Sequence, residues 1–243
     1  MPWGFSALNS GSRRVVDSEK SAYAYVGKVT PAFVPGSGIG NPQATFACVG
    51  RPLLYYELNA SAAMGIHRLD EVSPNTWRVL ALGSNPIRIF GRVDLNWPEG
   101  TSANWAVRLR RVSDKKVTFD SGLRMLKLAG WTAYTNLELV MDPSDPENLL
   151  PVTPPLAPNG RSINWQPNLI KWSYNSVSIG GGQSTASTMF QKPSWRINGA
   201  TLVNSWTAFA TRTGPGSGNM NVRRYVGGNV SAPITMIDNS AFP

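Results

Sequence analysis

Apolar and polar positions alternate along most of this chain in short runs, each cut off by Gly, Pro, Asn or Ser. A period of two places one face of a strand on a core, and the breakers supply turns. The clearest run is Ile87–Leu95. Ile87, Ile89, Val93 and Leu95 fall on one face, and Arg88, Phe90, Arg92 and Asp94 on the other, which predicts a half-buried strand. Residues 3–30 read as three short strands, and 31–43 as a loop. Further strands are expected at Thr45–Val49, Leu53–Leu58 and Trp77–Leu82, in a hairpin of Trp105–Val112 with Lys116–Ser121, and at Leu123–Leu128 and Leu137–Met141. Ala60–Val72 reads as a short helix or an irregular excursion.

Six prolines between Asp142 and Gly160 oppose regular pairing and predict an extended linker. The expected organisation is an N-terminal β lobe (1–141), a Pro-rich linker (142–160) and a C-terminal β lobe (161–243). In the second lobe, strands are expected at Lys171–Ile179, Thr188–Phe190, Ser194–Ile197, Leu202–Arg212, Met220–Val226 and Ile234–Ile237. Gly180–Gly182 and Gly214–Gly218 read as the turns. Both faces of Leu202–Arg212 mix apolar and small polar groups, as in a strand lying between layers or against another subunit. The expected class is all-β, with β-sandwich or jelly-roll-like lobes.

Composition sharpens this picture. With 243 residues the chain can bury a core without covalent staples. Charged residues make up only 15%, well under the usual quarter, so Ser, Thr, Asn and aromatics must cover much of the surface. Such a surface suits packing against other proteins, and nine Trp fit the same reading. The net charge of +9 is uneven: residues 1–150 carry +3 and 151–243 carry +6, with Asp238 the one acid beyond 150. The later part would be drawn to acidic surfaces, such as anionic glycans or an acidic subunit. Its cations are scattered, apart from Arg223-Arg224, so nucleic acid is not expected.

The opening carries a resemblance. It reads Trp3-Gly4-Phe5-Ser6-Ala7-Leu8, a turn at Asn9–Ser12, Arg13-Arg14-Val15-Val16-Asp17-Ser18, then Tyr23-Ala24-Tyr25-Val26-Gly27-Lys28. A related phrase returns as Trp105–Leu109, Ser113–Lys116 and Val117-Thr118-Phe119-Asp120-Ser121-Gly122. The opening resembles the start of small tail-tip and tail-fibre-associated structural proteins of long-tailed bacteriophages; Phe119–Gly122 with Arg124 is a weaker match. The resemblance implies a virion component at the tail tip, baseplate or fibre base, made in the host bacterial cytoplasm. It implies assembly with other tail proteins and a homo-oligomer, a trimer being favoured at the fibre end. It assigns no binding residues.

Reactive side chains are few. His67 is the only histidine and Cys48 the only cysteine, too few for a disulfide framework or a zinc site. Cys48 reads as a small buried hydrophobe. Glu57, Asp70, Glu71 and Asp94 are candidate acids for a glycosidase-type pair, with ordinary solvated or capping roles as the simpler reading. Asp142, Asp145 and Glu147 offer calcium donors, but the spacing and the prolines differ from an EF-hand. Gly36–Gly40 and Gly180–Gly182 lead into no Gly-Lys-Ser/Thr and read as turns. No catalytic, metal or cofactor site is expected. No apolar run is long enough for a membrane-spanning helix, and no secretory signal is read at Met1-Pro2-Trp3.

The candidate contact residues are Trp165, Trp172, Tyr174, Trp195, Arg196, Trp206, Arg223 and Arg224. Aromatic faces beside Asn, Gln and Arg suit either a protein interface or a sugar-stacking platform. The alternative to a structural tail component is therefore a receptor- or carbohydrate-binding module for host attachment.

Overall fold

The computed structural model describes residues 6–8, 14–17, 19–35, 41–102, 105–133, 149–151, 161–164, 169–180, 182–199, 201–227 and 233–242. Within these the fold is all-β. The strands before the Pro-rich span are β1 (Ser6–Leu8), β2 (Arg14–Asp17), β3 (Tyr23–Val29), β4 (Gln43–Ala47), β5 (Leu53–Glu57), β6 (Ile66–Ser73), β7 (Thr76–Ala81), β8 (Ile87–Arg92), β9 (Arg108–Arg110), β10 (Val117–Asp120) and β11 (Gly130–Ala133). Within and after it come β12 (Leu149–Pro151), β13 (Arg161–Asn164), β14 (Leu169–Gly180), β15 (Gln183–Asn198), β16 (Thr201–Pro215), β17 (Met220–Gly227) and β18 (Pro233–Asp238). One helical turn, α1 (Val93–Asn96), follows β8.

The organising element is a six-stranded antiparallel sheet of order β11-β18-β13-β5-β8-β3. It draws four strands from before the Pro-rich span and two from after it. Hydrogen-bonded pairing therefore ties together the two expected lobes, with Ile163 of β13 opposite Tyr56 of β5. Most of 142–160 lies outside the described residues, but Leu149–Pro151 pairs with Thr201–Val203 of β16. Pro151 sits there on an edge strand, where a missing N–H is tolerated.

Alternation sends Leu54, Tyr56, Ile87, Ile89, Ile234 and Met236 to one face of this sheet. They form the main core with Phe46, Trp77 and Val79 of the β4-β7-β6 sheet, and with Trp195, Ile197 and Leu202 from β15 and β16. The opposite face carries Tyr55, Phe90 and Ile237, covered by Phe242 from the end of the chain. Phe90 meets Phe242 edge to face at 5.0 Å and Tyr55 at 5.4 Å. Both faces are thus buried, which corrects the half-buried reading of Ile87–Leu95. Arg88, on the Phe90 face, is only 5% exposed; it donates to Glu57 Oε2 at 2.9 Å and to Ser162 Oγ. The expected run also stops at Arg92, where α1 begins.

Other departures have local causes. Ala60–Val72 holds the strand β6 rather than a helix or excursion. Its apolar residues Ile66, Leu69 and Val72 recur every three positions, and register shifts at Ile66/Arg68 and Glu71/Ser73 break the alternation. The two runs Thr188–Phe190 and Ser194–Ile197 are one strand. A bulge follows Phe190, and Pro193 lies beyond the last β14–β15 pair, so only its β16 side is laddered. Leu123–Leu128 makes a single bridge to β3, through Met125 and Ala24, rather than a strand. Trp105 lies outside β9 and is 96% exposed. The segment 137–141 lies outside the described residues.

Trp195 joins three units of this architecture, and its bridge to Met64 is closed by two backbone hydrogen bonds of 2.8 Å. Trp195→Ala should destabilise the fold by about 3–5 kcal/mol through the cavity it leaves. Chemical denaturation reads this as a large drop in midpoint, whereas a change near zero would place Trp195 outside the core.

Candidate functional site

Strands β14 to β17 form an antiparallel arm, with β12 pairing only the first three residues of β16, in the order β12-β16-β15-β14-β17. β15 spans 16 residues and β16 spans 15, roughly 50 Å each at strand rise. Their near ends are anchored: Pro193, Ser194, Trp195, Ile197, Leu202 and Val203 are buried. The far end of β16 is open, with Thr211–Pro215 exposed at every position, while β15 keeps Ala186 buried near its own far end. The tip is nevertheless closed. Gly182 turns β14 into β15 with φ +75°, and the amides of Ser217 and Gly218 donate to Ser176 Oγ and Ser184 Oγ. A Cβ on Gly216 would stand 2.1 Å from Ser176 Oγ, so the loop lies too close for any side chain there.

The arm contains most of the contact residues expected from sequence. Trp172 of β14 pairs in register with Arg224 of β17, and the next two rows are Ser173 with Arg223 and Tyr174 with Val222. Tyr174 is half-buried. Arg196, also half-buried, pairs with Val203 near the base. Trp206 is half-buried and packs against the main core. Trp195 is fully enclosed, so it is a core side chain and presents no face to a ligand. Trp165 lies outside the described residues. Residues 169–227 hold six cations, Lys171, Lys192, Arg196, Arg212, Arg223 and Arg224, and no carboxylate.

One seam joins the arm to the β4-β7-β6 sheet. His67 of β6 stacks on Phe209 of β16 with ring centroids 4.2 Å apart, and Lys192 Nζ of β15 donates to the His67 carbonyl at 2.7 Å. Asn41 donates to the Phe209 carbonyl at 3.2 Å. Burial first, then Lys192 and Arg68, push His67 down to about 4 against a weaker pull from Asp70. Burial likewise lowers Lys192.

A second set of charged contacts fixes the loops around β9 and β10. Burial alone would raise the Asp120 carboxyl. The amides of Thr101 and Gly122, with the Arg108 and Thr101 side chains, outweigh that and hold it at about 2. The Thr101 amide donates at 2.7 Å and Arg108 Nε at 2.9 Å. Gly100 adopts φ +85°, and a Cβ there would meet Arg108 Nε and Asp120 Oδ2, each at 2.8 Å. The recurring Asp-Ser phrase is thus a loop clamp in its second copy, where the Val107 amide donates to Ser121 Oγ at 2.8 Å. Asp94, 2% exposed, accepts two hydrogen bonds from Arg92 and one from Arg111. These bonds and one with Ser21 keep it below the usual carboxylate range despite burial. Sequence reading missed Arg88, Arg108 and Arg111. The available signal was an arginine inside an apolar strand, as at Arg88 and Arg108, or one three residues from a carboxylate, as Arg111 is from Asp114.

The four candidate acids are each engaged: Glu57 by Arg88, Asp70 by Arg68, Asp94 by Arg92 and Arg111, and Glu71 by the Asn75 amide at 2.9 Å. Cys48 is buried in the main core, and burial raises its thiol. Among the described residues no group of three His, Cys, Asp or Glu could hold a metal ion, and no helix is long and apolar enough to cross a membrane. Asp142, Asp145 and Glu147 lie outside the described residues. Comparison with protein-family models, curated proteins and solved structures finds no match.

Two outcomes follow. The folded His67 titrates below its ordinary 6.5, so its contribution to stability is complete above about pH 6.5 and is lost as pH falls towards 4. His67→Gln should flatten unfolding free energy against pH in that window; an unchanged slope would show that His67 titrates as in the open chain. Asp120 contributes above about pH 4 and loses that contribution as pH falls through about 2. Asp120→Asn should therefore lower the denaturation midpoint at pH 7 and weaken acid sensitivity between pH 4 and 2.

Proposed function

We propose that this chain is a structural component of a bacteriophage tail, at the tail tip, baseplate or fibre base, and that it works by protein–protein assembly. One observation carries the reading: a long β arm, rooted in the core by Trp195 and Ile197, carries at its edge the end of β16, exposed at every position from Thr211 to Pro215. An isolated pair of long strands would be marginal in water, but four strands with a buried root are a stable lever. The exposed edges of such a lever are pairing surfaces that natural proteins cover, and another chain is one means of covering them. The phage-tail setting comes from the resemblance of residues 3–29 to tail proteins. Both the opening phrase and its return fold as hairpins, β1 with β2 and β9 with β10. A homo-oligomer, most simply a trimer at the fibre end, fits this reading.

A second reading is a receptor- or carbohydrate-binding module. It is favoured by the absence of carboxylates from 169–227, which would let the arm approach anionic host glycans without repulsion.

Electron microscopy of phage particles labelled with antibody to this chain tests the proposal. Label confined to the tail end is expected. Label on the capsid, or none on the particle, would overturn it. Arg212→Glu in the arm, exposed and distant from the core, separates the two readings. Lost adsorption of intact particles would favour glycan binding, and unchanged adsorption would favour assembly alone.

A further inference from the structure

We infer that the arms of neighbouring copies pair edge to edge, β17 of one against β16 of the next, into one continuous antiparallel sheet closed as a ring. The inference rests on the assembly reading above and names the surface that assembly uses. Three features of the arm support it.

The first is polarity. Each of β16, β15, β14 and β17 runs antiparallel to its neighbour. Four strands is an even number, so β17 runs opposite to β16. A second copy laid alongside, its arm pointing the same way, therefore offers its β16 antiparallel to β17. Every copy keeps one orientation, as cyclic symmetry requires, and the contact is head to tail.

The second is level. β17 spans Met220–Gly227, and the rows through β14 and β15 carry Met220–Tyr225 across to β16. Met220 shares a row with Ser176, Ala186 and Gly214. Arg224 shares one with Trp172, Phe190 and Ala210. The stretch of β16 on those rows, Ala210–Gly214, lies beyond Val203, where β12 stops, and beyond Phe209, whose carbonyl Asn41 holds. Among the described residues the two outer edges are thus open at the same height over the rows from Met220 to Arg224.

The third is extent. Five residues of edge run roughly 17 Å, and a sheet about 10 Å thick buries on the order of 170 Å² per copy along it. That is about a fifth of the ~800 Å² per partner of a stable contact. A pair sharing one edge would be short-lived. A ring holds every copy at both edges and leaves none open, which makes the ring the stable form.

Charge gives the arrangement a signature. Pairing brings arms with six cations and no carboxylate together, so rising salt should strengthen it by screening. An acidic partner protein on the same edge would be released by salt instead.

The test uses paired cysteines in the purified full-length chain. Asn221→Cys is combined in turn with Thr211→Cys, Thr213→Cys or Pro215→Cys, covering the level register and one step to either side. Within one arm the rows place Thr213 and Asn221 three strand spacings apart, roughly 14 Å, too far for an internal disulfide. Cys48, 3% exposed, is out of reach. The native chain should be a closed oligomer by native mass spectrometry, more populated at high salt. At least one pair should give covalent multimers up to that size under mild oxidation, and single-cysteine variants should give none. A native oligomer that no pair cross-links overturns the edge contact and leaves assembly standing. Cross-linking by T213C alone overturns the head-to-tail arrangement. A native chain that stays a single copy at its highest soluble concentration overturns both.

Discussion

Burial of one apolar cluster holds this fold together, and the strands that supply it come from both ends of the chain. Leu54 and Ile89 belong to its first half, Trp195 and Leu202 to the root of the arm, and Ile234 and Met236 to the last strand. No sheet can complete its buried face alone. The six-stranded sheet needs β13 and β18 from beyond the Pro-rich span, and the arm needs the β4-β7-β6 sheet and the central sheet to enclose Trp195. At about 25 cal/mol per Å² of apolar surface, this shared burial dominates the stability of a chain with few charges and no disulfide. It also keeps the far end of the arm in place, because a lever is only as rigid as its root.

Charged groups do a different task. Most carboxylates described in the body are held by arginines or by backbone amides, as at Asp94, Asp120 and Glu57. These contacts fix loops and edges that alternation alone would leave loose. In the arm no carboxylate answers the cations, and long strands reach beyond the core. Fixed polar networks in the body and an open, basic, acid-free sheet outside it together favour a protein that works by fitting against other molecules.

Much of the fold is legible in the sequence, and the gaps have physical causes. Strands bounded by clear turn residues, such as β5, β7, β14 and β17, fall within a few residues of expectation. β6 was hidden because two bulges give Ile66, Leu69 and Val72 a helix-like spacing. β15 was split in two because Pro193 reads as a breaker, and nothing local shows that β14 has stopped pairing there. The double burial of β8 was hidden because Arg88 looks like a solvent-facing residue. It is buried only because Glu57 and Ser162 come to meet it from distant strands. The candidate contact residues were chosen by type, and type does not separate a core Trp from a surface one. Trp195 went to the core, while Trp172, Tyr174, Arg223 and Arg224 came together on the arm through strand register.

The rooted arm is the feature on which the functional account stands, and hydrogen exchange across the purified chain probes it most directly. Amides of Trp195 and Ile197 should exchange in the slowest class, together with those of β5 and β8, since one cooperative core holds them all. If the arm's root exchanges as quickly as its exposed tip while β5 and β8 stay protected, the arm is a loose appendage and the account fails.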